Sequence, residues 1–515
     1  MTKLRKIASR TARVTLSAAL ALVVGSGLIC ADHNQMVTRG MLGGANLAGG
    51  AGAGDASDAG NAGAGNASDA SKTVPYRPAS LLETVASRKV TPSLTAATRK
   101  YDLDMNVVKK AVDDFQKTPD LGDKYGFVIS DGRSREVSSH NADTAYTPAS
   151  TLKSLTALAA VHTLDMNSTL ATEVYELNQQ GGQATLIIKG QGDMLLGSGI
   201  SDPQHVTGRA GLASLAQETA AKLKKQKVTQ VSLAVDESFF TRSMPPHMPP
   251  EYLQTGYFTP TSAMAIDQGK QFGDWQKNGV PDSEAMAYAP REENPVPAAV
   301  ASFAASLNQQ GIQVKQGADG KQEASASQRK AIASQRSIAV VHSAPLWQIL
   351  HLTLTLSDNT LAELFGRLVA HHLGYENSPA GARKAVYDTV KKLGVDLAGA
   401  NLSDTSGLSD GSVLTPRTLL AVQGKLLNSA GASAWEGQPV SGEIDTTGDL
   451  RAFTDGDHGV IHLKSGSLDD VTSMVASIET KRGGVVMVSV IVNNPPSHYA
   501  ASRAIDKLLV DLIAA

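Results

Sequence analysis

The chain has 515 residues, a formal net charge of −2 and one cysteine, Cys30. That length suggests roughly two to four domains, and 42% apolar with 19% charged residues is enough for a sizeable core. A near-neutral charge and 4% aromatic content argue against a nucleic-acid binder, and a lone cysteine excludes an internal disulfide framework or a Cys-based metal cluster.

The N-terminus reads as an export signal. Lys3, Arg5, Lys6, Arg10 and Arg13 form a basic start with no acid among them. Residues 14–29 are then an apolar run, short for a membrane-spanning helix. Ala31 offers a small residue beside a cleavage point, so residues 1–31 are expected to be a secretory signal peptide or an anchor. A lipid anchor on Cys30 is the alternative, but Ile29 stands where such a site normally has a small residue. Residues 32–75 are expected to form a flexible linker. Their centre, 43–71, is almost entirely Gly, Ala, Ser, Asn and Asp, which cannot bury enough apolar surface to offset ordering entropy.

Residues 103–115 have helical spacing, with Val107, Val108, Val112 and Phe115 near one face. Residues 125–130 read as a strand, Asp131-Gly132 as a hairpin turn and 136–139 as the returning strand. Residues 155–164 are an apolar helix. The middle, 175–335, differs in character: strands at 184–189 and 230–235, a Pro-rich stretch at 245–250, and a polar, weakly structured 309–336. It is expected to be an inserted α+β region. Residues 346–369 are a long apolar helical or loop–helix segment. Strands follow at 459–464, 473–478 and 485–492, with a turn at Lys481-Arg-Gly-Gly484 between the last two. Residues 500–513 close the chain as a helix, with Ile505, Leu508, Leu509 and Leu512 on one face. Two early and three late strands can make one five-stranded antiparallel sheet flanked by helices. The expected fold is therefore α+β, with one domain built from 76–174 and 336–515 around the 175–335 insertion.

Three short motifs occur in order. Ser150-Thr-Leu-Lys153 follows Tyr146-Thr-Pro-Ala149 and opens the apolar helix. Residues i and i+3 share a helical face, so Lys153 can approach the Ser150 hydroxyl, which is a weak nucleophile without such a neighbour. Alone the motif is weak: roughly two Ser-x-x-Lys matches arise by chance from this composition, and Ser327-Gln-Arg-Lys330 is another, in a polar stretch. Ser357-Asp358-Asn359 lies inside 346–369. Ser139-His-Asn141 and Ser306-Leu-Asn308 share its Ser-x-Asn pattern, the first out of order and the second in the insertion. Lys464-Ser465-Gly466 lies at the end of the strand beginning near 459, where a glycine lets a ligand approach the backbone. Read singly, each has an ordinary structural explanation: a helix cap, a capping serine, a strand-end turn.

Together they make the Ser-x-x-Lys, Ser-Asp-Asn, Lys-(Thr/Ser)-Gly signature of penicillin-binding proteins and class A β-lactamases. The likeness goes further. Over about residues 100–515 the chain resembles the large D-alanyl-D-alanine carboxypeptidases/endopeptidases, the class C low-molecular-mass penicillin-binding proteins. Lys189-Gly-Gln-Gly-Asp193, Val235-Asp-Glu-Ser-Phe239, Tyr257-Phe-Thr-Pro-Thr-Ser-Ala263 and Asp404-Thr-Ser-Gly-Leu-Ser409 resemble further stretches of that family. Met194 replaces the usual proline, Ser465 the usual threonine, and Asp267-Gln268 departs from an Asn-rich run.

The resemblance implies a transpeptidase-like (β-lactamase-like) domain and a serine D-Ala-D-Ala carboxypeptidase, with endopeptidase action on cross-linked peptides. Its partners would be peptidoglycan stem peptides ending in D-Ala-D-Ala and β-lactam antibiotics. It implies no cofactor, no metal, no nucleic acid, and a location on the outer side of the cell envelope, with membrane contact only through an uncleaved N-terminal segment. By resemblance, Ser150 attacks the peptide carbonyl and Lys153 accepts its proton. Ser357 relays the proton to the leaving amine, and Asn359 holds Lys153 and the substrate amide. Lys464 and Ser465 bind the terminal carboxylate, Gly466 lets the strand come close, and the N–H groups of Ser150 and Ser467 form the oxyanion hole. Three rivals are weaker. A β-lactamase is disfavoured by length and insertion, and a silent wall-binding protein by three intact motifs. An esterase built on Gly407-Leu-Ser-Asp-Gly411 lacks a convincing strand before Ser409.

Overall fold

The computed structural model describes residues 102–241, 244–271, 289–427, 431–440 and 461–515. The chain divides into Met1–Thr73 and Val74–Ala515. All described residues lie in the second unit, so the expected signal peptide and linker lie outside them.

The first sheet joins the two ends of this unit. Strands β1 (Tyr125–Asp131), β2 (Glu136–His140), β10 (Ile461–Leu468), β11 (Val471–Glu479) and β12 (Val485–Asn493) take the order β10-β11-β12-β1-β2. Every pairing is antiparallel. The closing seam is β1 on β12, registered from Tyr125↔Val492 to Asp131↔Val486. The β1–β2 turn is set by the Asp131 carboxylate, which accepts from the backbone N–H groups of Arg133 (3.0 Å) and Arg135 (2.9 Å).

Alternation along each strand sends side chains to two different cores. On one face Phe127, Ile129, Val488 and Val490 pack under α1 (Met105–Gln116) and α11 (His498–Leu512), meeting Val108, Phe115, Leu508 and Leu509. On the other, Val128, Val475, Met487 and Ile491 join the helical half of the domain. At the centre of that half runs α2 (Lys153–Thr163), whose residues Lys153 to Ala160 are all buried. A helix apolar all round belongs inside a core. Around it stand α6 (Leu346–Thr355), α7 (Asn359–His372), α8 (Pro379–Lys392), α9 (Pro416–Leu426) and the short α10 (Ala432–Glu436).

A second sheet is drawn from the middle of the chain. Strands β3 (Ala171–Gln180), β4 (Gln183–Gly190), β6 (Gln230–Asp236), β8 (Gln313–Gln316) and β9 (Ala339–His342) lie in the order β8-β6-β4-β3-β9. The β4–β6 and β6–β8 pairs are parallel and the others antiparallel. Helices α3 (Leu212–Lys225) and α4 (Val296–Gln309) cover one face through Leu215, Leu223, Phe303 and Leu307. On the other, Ile332 of α5 (Ala326–Ile332) meets Tyr175, Leu177 and Ile187. A parallel pair, β5 (Asp193–Leu196) with β7 (Met264–Ile266), completes the region.

Three local expectations change. Residues 309–336 are not weakly structured: they hold β8 and α5, the latter opened by a capping box between Ser325 and Gln328. These elements are too short, and too poor in apolar residues, to show a period. The 346–369 segment is two helices, α6 and α7, broken where Ser357 takes φ +54°. Asp358, not Ser357, caps α7 by accepting from Leu361 N–H (2.8 Å). Residues 459–460 lie outside the described residues, and β10 runs on through Leu468. The Lys464-Ser465-Gly466 motif therefore sits inside the strand and not at its end.

Leu158, fully buried in α2, tests this packing. Leu158→Ala should lower unfolding stability by about 2–5 kcal/mol, read by urea denaturation followed by circular dichroism. A loss below 1 kcal/mol would mean α2 is not the centre of the core.

Candidate active site

Ser150 lies in a 3-10 turn, Ala149–Leu152, directly before α2. In such a turn residues i and i+3 nearly eclipse, and Lys153 Nζ stands 2.8 Å from Ser150 Oγ. The turn is held from within by Thr151 Oγ1, which donates to Pro148 O (2.6 Å). Its first residue, Ala149, takes φ +48°, a left-handed conformation that costs a side-chain-bearing residue roughly 1–2 kcal/mol.

Lys153 is 1% exposed. Its Nζ has two further partners, Asn359 Oδ1 at 2.7 Å and the carbonyl oxygen of Ser406 at 2.8 Å. The Asn359 amide is oriented by its own Nδ2, which donates to the carbonyl of Tyr257 (3.1 Å). Both Lys153 partners are oxygens that only accept. A neutral amine has two hydrogens and one lone pair. In that form the two acceptors take the hydrogens, and the lone pair is left for the Ser150 hydroxyl. Burial pushes the Lys153 amine down to about 8, against the opposing pull of Asp404, Asp358 and Glu363.

Lys464 is fully buried. Its Nζ donates to Ser357 Oγ (2.9 Å) and to the Ser465 carbonyl (2.8 Å). Burial, and then the charge of Lys153, push its amine well below the usual lysine range. The left-handed Ser357 turns its hydroxyl back from the α6–α7 break toward this second lysine. Gly466 explains how β10 comes so near. A Cβ there would stand 2.4 Å from Ser473 Oγ, 2.8 Å from Pro148 O and 2.9 Å from Ser150 N. The Ser473 hydroxyl donates to Pro148 O (2.6 Å), stitching β11 to the same turn. Ser467, one residue beyond Gly466, is exposed, with its Oγ 3.2 Å from His498 Nε2.

The structure thus brings together Ser150, Lys153, Ser357, Asn359, Lys464 and Gly466, each next to another of the set. Ser465 joins through its carbonyl, and Ser467 lies at the outer end of the same strand. The other pattern matches stay apart: Ser327 and Lys330 in α5, Asn141 after β2, and Ser306 and Asn308 in α4. Ser409 is 2% exposed and sits in a loop with its N–H held by Asp404 (2.8 Å), not on a strand-to-helix elbow.

Several supporting residues carry no motif spacing. The fully buried Asp404 carboxylate accepts from Ser406 Oγ (2.8 Å) and from the N–H groups of Gly407 (2.7 Å), Leu408 (2.9 Å) and Ser409. That fixes the loop whose Ser406 carbonyl meets Lys153. Gly407 takes φ +81°, and a Cβ there would fall 1.9 Å from Ala149 O, so the loop also presses on the Ser150 turn. Glu363 accepts from Thr405 N–H (2.6 Å); burial, with Asp404 nearby, raises its carboxyl to about 7. Thr259 N–H donates to Thr360 Oγ1 (2.9 Å), tying the 257–259 stretch to the start of α7. Asp404 and Tyr257 lie in stretches that resemble the family, which was the only signal for them. Glu363 had none.

The chain has relatives. Residues 108–291 and 278–515 match the model of the D-Ala-D-Ala carboxypeptidase 3 (S13) family. A carboxypeptidase of Mycobacterium tuberculosis is 30% identical over 386 residues, spanning 73% of this chain and 77% of that one. Penicillin-binding protein 4 of Haemophilus influenzae superposes with a TM-score of 0.62 at 20% identity, covering 79% of this chain and 99% of its own. The same protein in complex with a β-lactam gives 0.59, with 79% and 100% covered. By motif, fold and family match, the chain belongs to the S13 family of D-Ala-D-Ala carboxypeptidases.

Proposed function

We propose that Ser150 is the acyl-forming nucleophile of this D-Ala-D-Ala carboxypeptidase and that Lys153 is its base. The observation that carries the reading is the set of three oxygens around Lys153 Nζ: two that only accept, and the Ser150 hydroxyl, which meets the lone pair once the amine is neutral. Lys153 removes the hydroxyl proton as Ser150 Oγ bonds to the carbonyl carbon between the two terminal D-alanines. The N–H groups of Ser150 and Ser467 receive the developing oxyanion. The proton passes by way of Ser357 to the amine of the departing D-alanine as the C–N bond breaks. Water then attacks the ester and frees Ser150. Lys464 holds the Ser357 hydroxyl, while Asn359 keeps Lys153 aligned.

The substrate is a peptidoglycan stem peptide ending in D-Ala-D-Ala. β-Lactams, with a strained amide and an adjacent carboxylate, acylate the same serine; a β-lactam complex of the Haemophilus neighbour supports β-lactam binding at this fold. Residues 1–31 export the enzyme to the outer side of the envelope. No described helix is long and apolar enough to cross a membrane.

Ser150→Ala should abolish D-alanine release and covalent labelling by a fluorescent penicillin, with the circular dichroism spectrum unchanged; a mutant that still labels would refute the nucleophile assignment. The base must be neutral to act. Below about pH 8, where the Lys153 amine is protonated, kcat/KM should fall about tenfold per unit and level off above it. A flat profile from pH 6 to 9 would remove Lys153 from the role of base. For export, N-terminal sequencing of the enzyme recovered outside the cytoplasm should start near residue 32. A cytoplasmic protein that still begins at Met1 would sink that part.

A further inference from the structure

His498 is the first residue of α11, whose N-cap is Ser497, and it lies half-buried against the β10–β11 hairpin. Its Nε2 is 3.0 Å from the carbonyl oxygen of Val471 and 3.2 Å from Ser467 Oγ. A carbonyl can only accept, so Nε2 carries the hydrogen. That N–H is shared between Val471 O and Ser467 Oγ, which makes the serine oxygen the acceptor. The Ser467 hydrogen is then left to donate elsewhere, away from the ring.

Ser467 sits one residue beyond Gly466, which passes the nucleophile turn at van der Waals limits. The carboxylate end of a bound peptide needs donors along this strand. Lys464 has already committed Nζ hydrogens to Ser357 Oγ and Ser465 O, so hydroxyls carry much of that task. A hydroxyl with a fixed donor direction binds an anion better than one that rotates, because less freedom is lost on binding. The ring is itself fixed: α11 is anchored to the sheet through Ile505, Leu508 and Leu509.

We propose that His498 is a positioning residue for substrate recognition: its Nε2–H turns the Ser467 hydroxyl so that it donates to the terminal carboxylate. The inference rests on the acyl-transfer reading of the site. It names a residue outside the three motifs, and it assigns that residue to recognition of the carboxylate and not to bond making.

The test compares benzylpenicillin with its methyl ester, which lacks the carboxylate, as acylating agents of the full-length protein. Two polar variants are used. In His498→Gln an amide N–H can reach the position of Nε2; in His498→Asn it falls short. His498→Asn should slow acylation by benzylpenicillin about tenfold and acylation by the ester less than twofold, while His498→Gln should stay within about threefold of wild type for both. Equal losses with both penicillins would show that His498 only braces the hairpin and would overturn the proposal. So would an unchanged rate in His498→Asn. Acylation is read directly, so a wild-type protein that labels but releases no D-alanine would refute the carboxypeptidase reading while leaving this comparison decisive.

Discussion

Everything at the site is arranged around one buried amine. Lys153 sits at the first turn of a helix buried on every side from 153 to 160, and an isolated ammonium there would be severely destabilised by lost hydration. The structure meets this in two ways. Three oxygens surround Nζ at 2.7–2.8 Å, and three carboxylates, Asp404, Asp358 and Glu363, bias the amine back toward protonation. Burial prevails, and the amine ends near 8. Lys464, buried in the same cleft, is displaced in the same direction and adjusts to its neighbour. Two lysines so placed favour a state in which one is neutral, and Lys153, with two partners that only accept, can then turn its lone pair to the Ser150 hydroxyl.

The contributors to that cleft come from every part of the described chain. The turn at 149–152, the Tyr257 carbonyl, the α6–α7 break, the Asp404 loop and β10 are far apart in sequence. The β1–β12 seam brings the ends together, and α2 places Lys153 where the sheet meets the helical half. Asp404 then acts as a local scaffold. By gathering five donors from residues 406–409 it presents one carbonyl, that of Ser406, to the lysine. A buried carboxylate can hold such a loop because each N–H it accepts offsets its own lost hydration. The middle region reaches the site the same way, through main-chain oxygen at Tyr257.

Much of this was readable from the sequence. β1 and β12 are buried on both faces, so they appear as largely apolar runs, and the helices at either end of the described chain show a clear stripe. The Ser150, Ser357 and Lys464 motifs were legible because acyl transfer needs particular functional groups at fixed local spacing. What escaped was mostly backbone chemistry. The carbonyls of Ser406 and Tyr257 have no side-chain signature. Glu363 resembles any other acid until the fold buries it, and Asp404 stood out only through its family-like stretch. The break at Ser357 was hidden because α6 and α7 are apolar on both sides of it. Short β5, β7, β8 and β9 carry too few residues to establish a period, and Lys464-Ser465-Gly466 looked like a strand end because glycine usually weakens a strand.

Ala149 and Ser357 both hold left-handed backbone without being glycine, and each adjoins or carries a hydroxyl of the cleft. Such conformations persist only where the surroundings over-determine them. Here the surroundings are the Gly407 and Gly466 contacts on one side and the caps of α7 on the other. The enzyme is therefore locally less stable than its fold could be, at the two places where its hydroxyls must be aimed. Substitutions that relax either residue belong to the class that raises thermal stability while eroding turnover. A search for hardier variants of this chain would do well to leave both untouched, and to draw its gains from the second sheet and the outer faces of α1 and α11.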